Sequence, residues 1–302
     1  MANADLRPMS LGEVLDRTFN LYKNNFWLFV GISALPFSLL FIVEVAVAAM
    51  GFAAGRTGSQ RSAVSAGFIG GAAVGALIVG LLYCLMISAA HAATVFAVSD
   101  VYLSRPASIR GSFSRVGSKV FRVFLVFFLV LLIISAGFVV VGLLAFALRS
   151  PAIVGLAILL MIVPVIILVC RVAVAIPAAM LEDLGAVRAI ERSVHLTKGH
   201  VLQIFVIFLL IVTATYVAVL ILQFPLLALM MASTIAHKTP SFGLQVLQQL
   251  AAFVSQVLVG PIGTIAFSLM YYNLRVRKEA FDIQHLMASM TSNPEPNAPS
   301  VA

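Results

Sequence analysis

Six long apolar runs constrain this chain more than any other feature of its sequence. Each has 25 to 31 residues, whereas about 20 mostly apolar residues suffice for a helix to cross the hydrocarbon core of a bilayer. The runs are Phe26–Met50, Phe68–Val98, Val123–Leu148, Ile153–Leu181, Val201–Met231 and Leu244–Tyr272. Only 10% of the residues are charged, against roughly 25% in soluble domains. The sequence therefore predicts an all-α polytopic membrane bundle with six transmembrane helices.

Several details within the runs carry their own predictions. Four glutamines crowd the first half of the sixth run, and we expect that face to turn toward other helices. Gly67, Gly71 and Gly75 form small-xxx-small steps, typical of close helix packing within a fold or of a homo-oligomer contact. We expect tilts, or kinks at the prolines of the runs. Those prolines are Pro36, Pro164, Pro177, Pro225 and Pro261.

The basic residues indicate how the spans are oriented. Fourteen Lys and Arg residues fall in the N-terminal segment, the second and fourth connections and the C-terminal segment, and only four fall on the opposite side. Because cytoplasmic segments carry the excess of Lys and Arg, both termini are predicted to be cytoplasmic. The formal charge of +8 is thus explained by the flanks of spans, and nucleic acid is not an expected partner.

One short pattern recurs before the first, third and fifth runs. Leu15–Trp27 (LDRTFNLYKNNFW), Ile109–Phe121 (IRGSFSRVGSKVF) and Ile190–Leu202 (IERSVHLTKGHVL) each place Ser or Thr three residues after an aliphatic residue, then basic residues, then apolar ones. Their apolar residues have helical spacing, which is typical of amphipathic helices at the membrane surface. We therefore predict three parallel repeats, each an interfacial helix and a two-span hairpin. The alternative is that basic amphipathic segments before spans resemble one another without repetition.

These patterns divide the chain into a single membrane domain, residues 1–290, and a tail. The predicted repeat units are residues 11–98, 105–181 and 184–272. They are followed by a C-terminal interfacial helix at 274–290 and a disordered proline-rich tail at 291–302.

Three segments resemble a known family. RPMSLGEVLDRTFNLYKNNF, AIERSVHLTKGHV and YYNLRVRKEAFDIQHL are similar to the membrane domain found in glycerophosphoryl diester phosphodiesterases and in stand-alone bacterial membrane proteins. The resemblance spans roughly residues 7 to 287 and implies a multi-pass protein of the bacterial cytoplasmic membrane. Family members often have Asp at the position of Asn273 and Gly at that of Ala280. The phosphodiesterase chemistry belongs to a separate soluble barrel of about 250 residues, so no catalytic position is carried over.

Two ionisable residues inside the runs are the candidate site. Arg171 and His91 lie in the fourth and second runs at similar expected depths, and charged groups in hydrocarbon are costly and usually functional. Each either contacts a ligand or lipid headgroup, or is a structural hydrogen-bonding residue. Glu182 and Asp183 form an acidic pair after the fourth run, and Asp183 is expected to cap the next helix. No catalytic residue, cofactor or metal site is predicted.

Three classes of function are compatible with these residues; beside the two that follow, the third is an intramembrane enzyme with Arg171 and His91 as its polar groups. The first is a non-enzymatic membrane protein that organises lipids or partner proteins. The alternative is a transporter, or a lipid or anion permease, with a midplane site near Arg171. Membrane lipids are the expected partners, with protein partners or a homo-oligomer also compatible with the sequence.

Overall fold

The computed structural model describes residues 8–56, 66–148, 151–236 and 241–279, and all regular secondary structure within them is helical. The α-helices are α1 (Leu11–Asn24), α2 (Phe26–Arg56), α3 (Ala66–Tyr102), α4 (Ile109–Val116), α5 (Val120–Leu148), α6 (Pro151–Val172), α7 (Ala175–Leu181), α8 (Ala186–Thr197), α9 (Val201–Ile235) and α10 (Phe242–Glu279). The predicted tail at 291–302 lies outside the described residues.

Six candidate membrane spans occur in the described part of the chain. They are formed by α2, α3, α5, α6 together with α7, α9 and α10. The prediction of an all-α, multi-pass membrane chain with six spans is confirmed. Three shorter helices, α1, α4 and α8, precede α2, α5 and α9.

The fourth span is interrupted between α6 and α7. The helix ends at Val172 and restarts at Ala175. Pro177 explains why the break occurs here. A proline has no N–H to donate and its ring clashes with the carbonyl four residues earlier, so it disrupts the interior of a helix. In the first turn of a helix both effects are tolerated, and Pro177 lies in the first turn of α7. The other prolines of the spans stay inside continuous helices; these are Pro36, Pro164, Pro225 and Pro261.

The spans pack in consecutive hairpins that are joined into a closed arrangement. The hairpins are α2 with α3, α5 with α6, and α9 with α10. Between hairpins, α3 contacts α5, α6 contacts α9, and α10 contacts α2. The shorter helices α1, α4 and α8 pack against α10, α3 and α7 respectively. All three therefore lie at the same end of the bundle.

The core is concentrated in α3 and α10, near the end where the shorter helices pack. Ala92, Val98, Leu269, Tyr271 and Leu274 are completely buried there. By contrast, only 11% of the most apolar window of the third span is buried. Lipid tails solvate such apolar surface as well as protein does, so α5 and α6 are suited to face lipid.

Two sequence details can be compared directly with the structure. Gly75 does not mediate close packing within the fold, because no described atom lies within 4 Å of where a methyl group would stand. For Gly67 and Gly71 only the helical backbone of α3 is described. The predicted packing of these two glycines therefore lies outside the described part of the structure. The helix α10 continues past the predicted end of the sixth span to Glu279. The first residues of the predicted C-terminal helix at 274–290 are thus a continuation of α10, and the rest lie outside the described residues.

Candidate functional site

His91 lies in α3 and is paired with α10. Its Nδ1 is 2.5 Å from the Oγ1 of Thr264, and its ring centroid is 5.6 Å from that of Phe127 in α5. A polar group surrounded by apolar atoms is costly unless it is hydrogen-bonded. The contact with Thr264 therefore fixes the orientation of the imidazole.

A cavity of about 280 Å³ opens beside this pair. We call it the apolar cavity, because all of its lining residues except His91 and Thr264 are apolar or glycine. Gly260 and Gly263 of α10 form part of its wall, and a methyl group at Gly263 would meet only Ile211, at 3.9 Å. The cavity can accommodate an apolar group and offers it one polar contact.

Arg171 lies in the last turn of α6, beside the interruption of the fourth span. Its backbone carbonyl accepts hydrogen bonds from Ser193 Oγ at 2.7 Å and Thr197 Oγ1 at 3.3 Å. Both hydroxyls belong to α8, and they satisfy one of the terminal carbonyls that a helix end leaves without an intrahelical partner. Arg171 is not part of the lining of the apolar cavity, and no described contact joins it to His91. The structure does not bring the two predicted residues into one site.

Charged side chains connect α7, α8 and α10. We call Glu182, Arg192, Tyr271, Arg275 and Glu279 the ionic cluster. Arg192 donates from Nε to both carboxylate oxygens of Glu182, at 2.8 and 3.1 Å, and from Nη2 to Glu279 at 2.8 Å. The Tyr271 hydroxyl donates to Glu182 at 2.7 Å, and Arg275 Nε donates to Glu279 at 3.2 Å.

This pairing has an electrostatic consequence. The hydrogen bond to Glu279, followed by that to Glu182, raises the pKa of the Arg192 guanidinium above its ordinary value. Both carboxylates are held by arginine. We interpret the ionic cluster as a structural connection among three helices.

The prediction that Asp183 caps the next helix is wrong. The N-cap of α8 is Gly185, without a side-chain cap. Asp183 instead adopts a left-handed backbone conformation, with φ of 56°, and accepts from Lys119 Nζ at 2.9 Å and Arg122 Nη1 at 2.6 Å. These hydrogen bonds, that of Lys119 first, lower the pKa of its carboxyl group. Asp183 therefore links the end of the fourth span to the start of the third.

Two features of the site were missed at the level of sequence. Thr264 could not be recognised from the sequence as a partner of His91, because a hydroxyl inside a helix commonly bonds to its own backbone. The glycines at 260 and 263 stand one helical turn apart on α10, and that spacing was the available sign of a gap beside the helix. Among the described residues, no group of three or more His, Cys, Asp or Glu side chains could hold a metal ion.

Comparison with known proteins gives one match. Residues 112–274 match the model of a family described as a domain of unknown function (DUF7847). No curated protein and no solved structure matches the chain. The matched segment runs from α4 to α10 and includes every helix that lines the apolar cavity except α3. Because it covers more than half of the 302 residues, the chain belongs to the DUF7847 family.

Proposed function

We propose that the protein is a non-enzymatic membrane protein that binds and organises membrane lipid, with part of an acyl chain held in the apolar cavity. The cavity beside the His91–Thr264 pair carries this proposal. Drug-sized ligands occupy pockets of roughly 300–1,000 Å³. The cavity, at about 280 Å³, suits a segment of a lipid chain rather than a whole lipid.

The polar pair supplies selectivity to an otherwise apolar cavity. Within a bilayer, apolar packing alone distinguishes poorly between protein and lipid tails. If Thr264 donates to Nδ1, the imidazole carries its proton on Nε2, which is then available as a hydrogen-bond donor beside the cavity. A carbonyl or hydroxyl oxygen on the chain would accept that hydrogen bond. We therefore propose that His91 selects oxygen-bearing lipid chains.

The proposed architecture is three parallel repeats with α1, α4 and α8 at the cytoplasmic surface. Its support is the packing, in which the second span of each hairpin contacts the first span of the next. The Ser or Thr of each recurrent motif is also completely buried, at Thr18, Ser112 and Ser193. The second and fourth spans are each followed, two residues on, by a left-handed residue, Ser104 and Asp183.

Exposed apolar side chains on the shorter helices and at the starts of the following spans support a position at the membrane boundary. Phe19 of α1 and Val187 of α8 are 46% and 60% exposed, and Trp27 at the start of α2 is 80% exposed. Tryptophan is enriched where hydrocarbon meets headgroups. Together with the distribution of Lys and Arg, this supports a multi-pass membrane protein with both termini in the cytoplasm. The resemblance to the membrane domain of glycerophosphoryl diester phosphodiesterases favours the bacterial cytoplasmic membrane as its location.

The lipid proposal is tested by filling the cavity. Val130→Phe and Val169→Phe add bulk to two lining residues on α5 and α6, while Val163→Phe adds the same bulk to a side chain of α6 that is 61% exposed. Native mass spectrometry of gently extracted protein counts retained lipids. We expect the first two variants to lose a lipid that wild type and Val163→Phe retain. Equal lipid retention by all four proteins would refute the proposal.

A permease is the second candidate, and the interrupted fourth span favours it. Ala173, at the interruption, lines the apolar cavity, and broken helices often form the sites of transporters. We expect Ala173→Cys, in a chain whose Cys84 and Cys170 are replaced by Ala, to react with a membrane-impermeant thiol reagent if the cavity opens to water. Protection of this cysteine from both sides of the membrane would exclude the permease and leave the lipid proposal intact.

A further inference from the structure

A second cavity lies toward the opposite end of the bundle from α1, α4 and α8. It measures about 150 Å³ and is formed by α2, α3, α9 and α10. We call it the polar cavity, because Glu44, Tyr83, Gln223 and Gln256 contribute to its lining. It shares no lining residue with the apolar cavity. Residues from both cavities, among them Gln256 and His91, also line one narrow gap of about 20 Å³.

The charge of the polar cavity is unbalanced. Glu44 contributes a carboxylate within the second half of α2, and no basic side chain among the described residues forms an ion pair with it. A charged group inside a membrane span is costly and is normally compensated by a partner. The cavity thus contains a carboxyl group for which the described part of the chain supplies no basic partner.

Gln248 and Gln249 of α10 lie beside the polar cavity without lining it, and each donates a hydrogen bond to a lining residue. Gln249 donates from Nε2 to the backbone carbonyl of Glu44 at 3.3 Å, and its buried Oε1 has no partner in the described part of the chain. Because a carbonyl only accepts, this contact fixes which end of the Gln249 amide is the oxygen. Gln248 donates to Gln223 at 3.5 Å and likewise leaves a buried oxygen without a partner. Such groups cost free energy until a donor reaches them.

Aromatic rings complete the lining. Phe41 and Phe253 lie with their ring centroids 5.4 Å apart, and both line the polar cavity beside Tyr83. The faces of aromatic rings attract cations. The carboxyl group of Glu44, the amides of Gln223 and Gln256, and the aromatic faces together favour a cation that donates hydrogen bonds.

From this geometry we propose that the polar cavity binds a primary ammonium group. An ammonium has one positive charge and three N–H donors, which match the Glu44 carboxylate and the amide oxygens of the lining residues Gln223 and Gln256. Its source is either the headgroup of an amino-phospholipid or a small free amine, and both present the same chemistry to the site.

The test compares lipids that differ only in their headgroups. Purified protein is offered phosphatidylethanolamine and phosphatidylglycerol with identical acyl chains, and native mass spectrometry, which distinguishes them by headgroup mass, counts the retained lipid. We expect wild type to prefer phosphatidylethanolamine and Glu44→Gln to bind it roughly tenfold more weakly or worse, as for the loss of a hydrogen bond to a charged group. Glu191→Gln, which changes an exposed acid on α8, is the matched control and should bind as wild type does.

Further measurements distinguish a lipid headgroup from a small free amine as the ligand, and a second variant guards against misfolding of the first. Gln256→Met keeps the length of a lining side chain and should also weaken binding, so the proposal does not depend on one variant. If free ethanolamine competes with the lipid, the site recognises the amine itself; if only the lipid binds, the site is a headgroup site. Retention that is unaffected by Glu44→Gln, a preference for phosphatidylglycerol, or competition by Na⁺ but not by ethanolamine would overturn the proposal.

Discussion

Replacing Arg192 by methionine should reveal how strongly the ionic cluster holds three helices together. The change keeps the length of the side chain but removes the charge and the hydrogen bonds to Glu182 and Glu279. Breaking a buried ion pair costs about 3–5 kcal/mol. The side chains of Arg192, Glu182 and Glu279 are 18 to 23% exposed, and Arg275 still neutralises Glu279. We therefore expect a loss of about 2–4 kcal/mol in the free energy of unfolding.

Denaturant unfolding of the purified protein in detergent, with thermal unfolding as a second measure, gives this quantity. Arg122→Met is the matched control, because Arg122 pairs with Asp183, whose side chain is 62% exposed, and Lys119 remains as a partner. Exposed ion pairs contribute little, so this control should unfold as wild type does. A stable Arg192→Met protein, or an equal loss in both variants, would contradict the view that the ionic cluster is a structural connection.

Three further predictions follow from individual contacts. Asn273→Leu should cost about 1–3 kcal/mol in unfolding experiments, because the N–H of Met9 donates to the buried Asn273 Oδ1 at 2.8 Å and would lose its acceptor; unchanged stability would show that this contact is dispensable. Ser193→Ala should cost about 1 kcal/mol by removing the donor to the Arg171 carbonyl, whereas Ser193→Thr, which keeps the hydroxyl, should lose less. The pKa of Asp183 is lowered in the folded protein, so its contribution to stability is present above its ordinary pKa of 3.8 and is lost as pH falls through the lowered value. Any difference in thermal midpoint between wild type and Asp183→Asn should therefore vanish in acid, and a difference that grows in acid would show that the pairing is wrong.

The spans were predictable because their signal is one of length and hydropathy. A run of 25 or more apolar residues can satisfy its backbone in lipid only as a helix, so the six runs required six spans whatever their packing. The face formed by Gln248 and Gln249 was equally predictable, and the structure places these residues against α9 and α2.

The place at which the fourth span is interrupted could not be predicted from the sequence. Pro177 was one of five prolines in the runs, and four of them remain within continuous helices. What distinguishes Pro177 is the packing of α8, whose Ser193 and Thr197 donate to the carbonyl of Arg171 beside the gap. These hydrogen bonds join residues more than 20 positions apart, so no local sequence pattern indicates them.

The residues of the candidate site were also only partly predictable from the sequence. His91 was identifiable because an ionisable side chain inside a span is unusual, but its partner Thr264 is 173 residues away and has an unremarkable sequence context. Arg171 was identified on the same grounds, yet the structure places it outside the apolar cavity. Its predicted contact with a ligand or lipid headgroup stays a prediction. Depth along a span can be counted from sequence, whereas the direction in which a side chain points depends on packing.

The central claim is that a lipid chain occupies the apolar cavity, and photo-crosslinking tests it most directly. A phospholipid with a diazirine in its acyl chain is incorporated into membranes containing the protein, and the labelled residues are mapped by mass spectrometry. We expect labelling at Val130 and Phe267, which line the cavity, and loss of that labelling in Val169→Phe. Labelling confined to outward-facing residues such as Leu131 and Leu132, and unchanged in Val169→Phe, would contradict it.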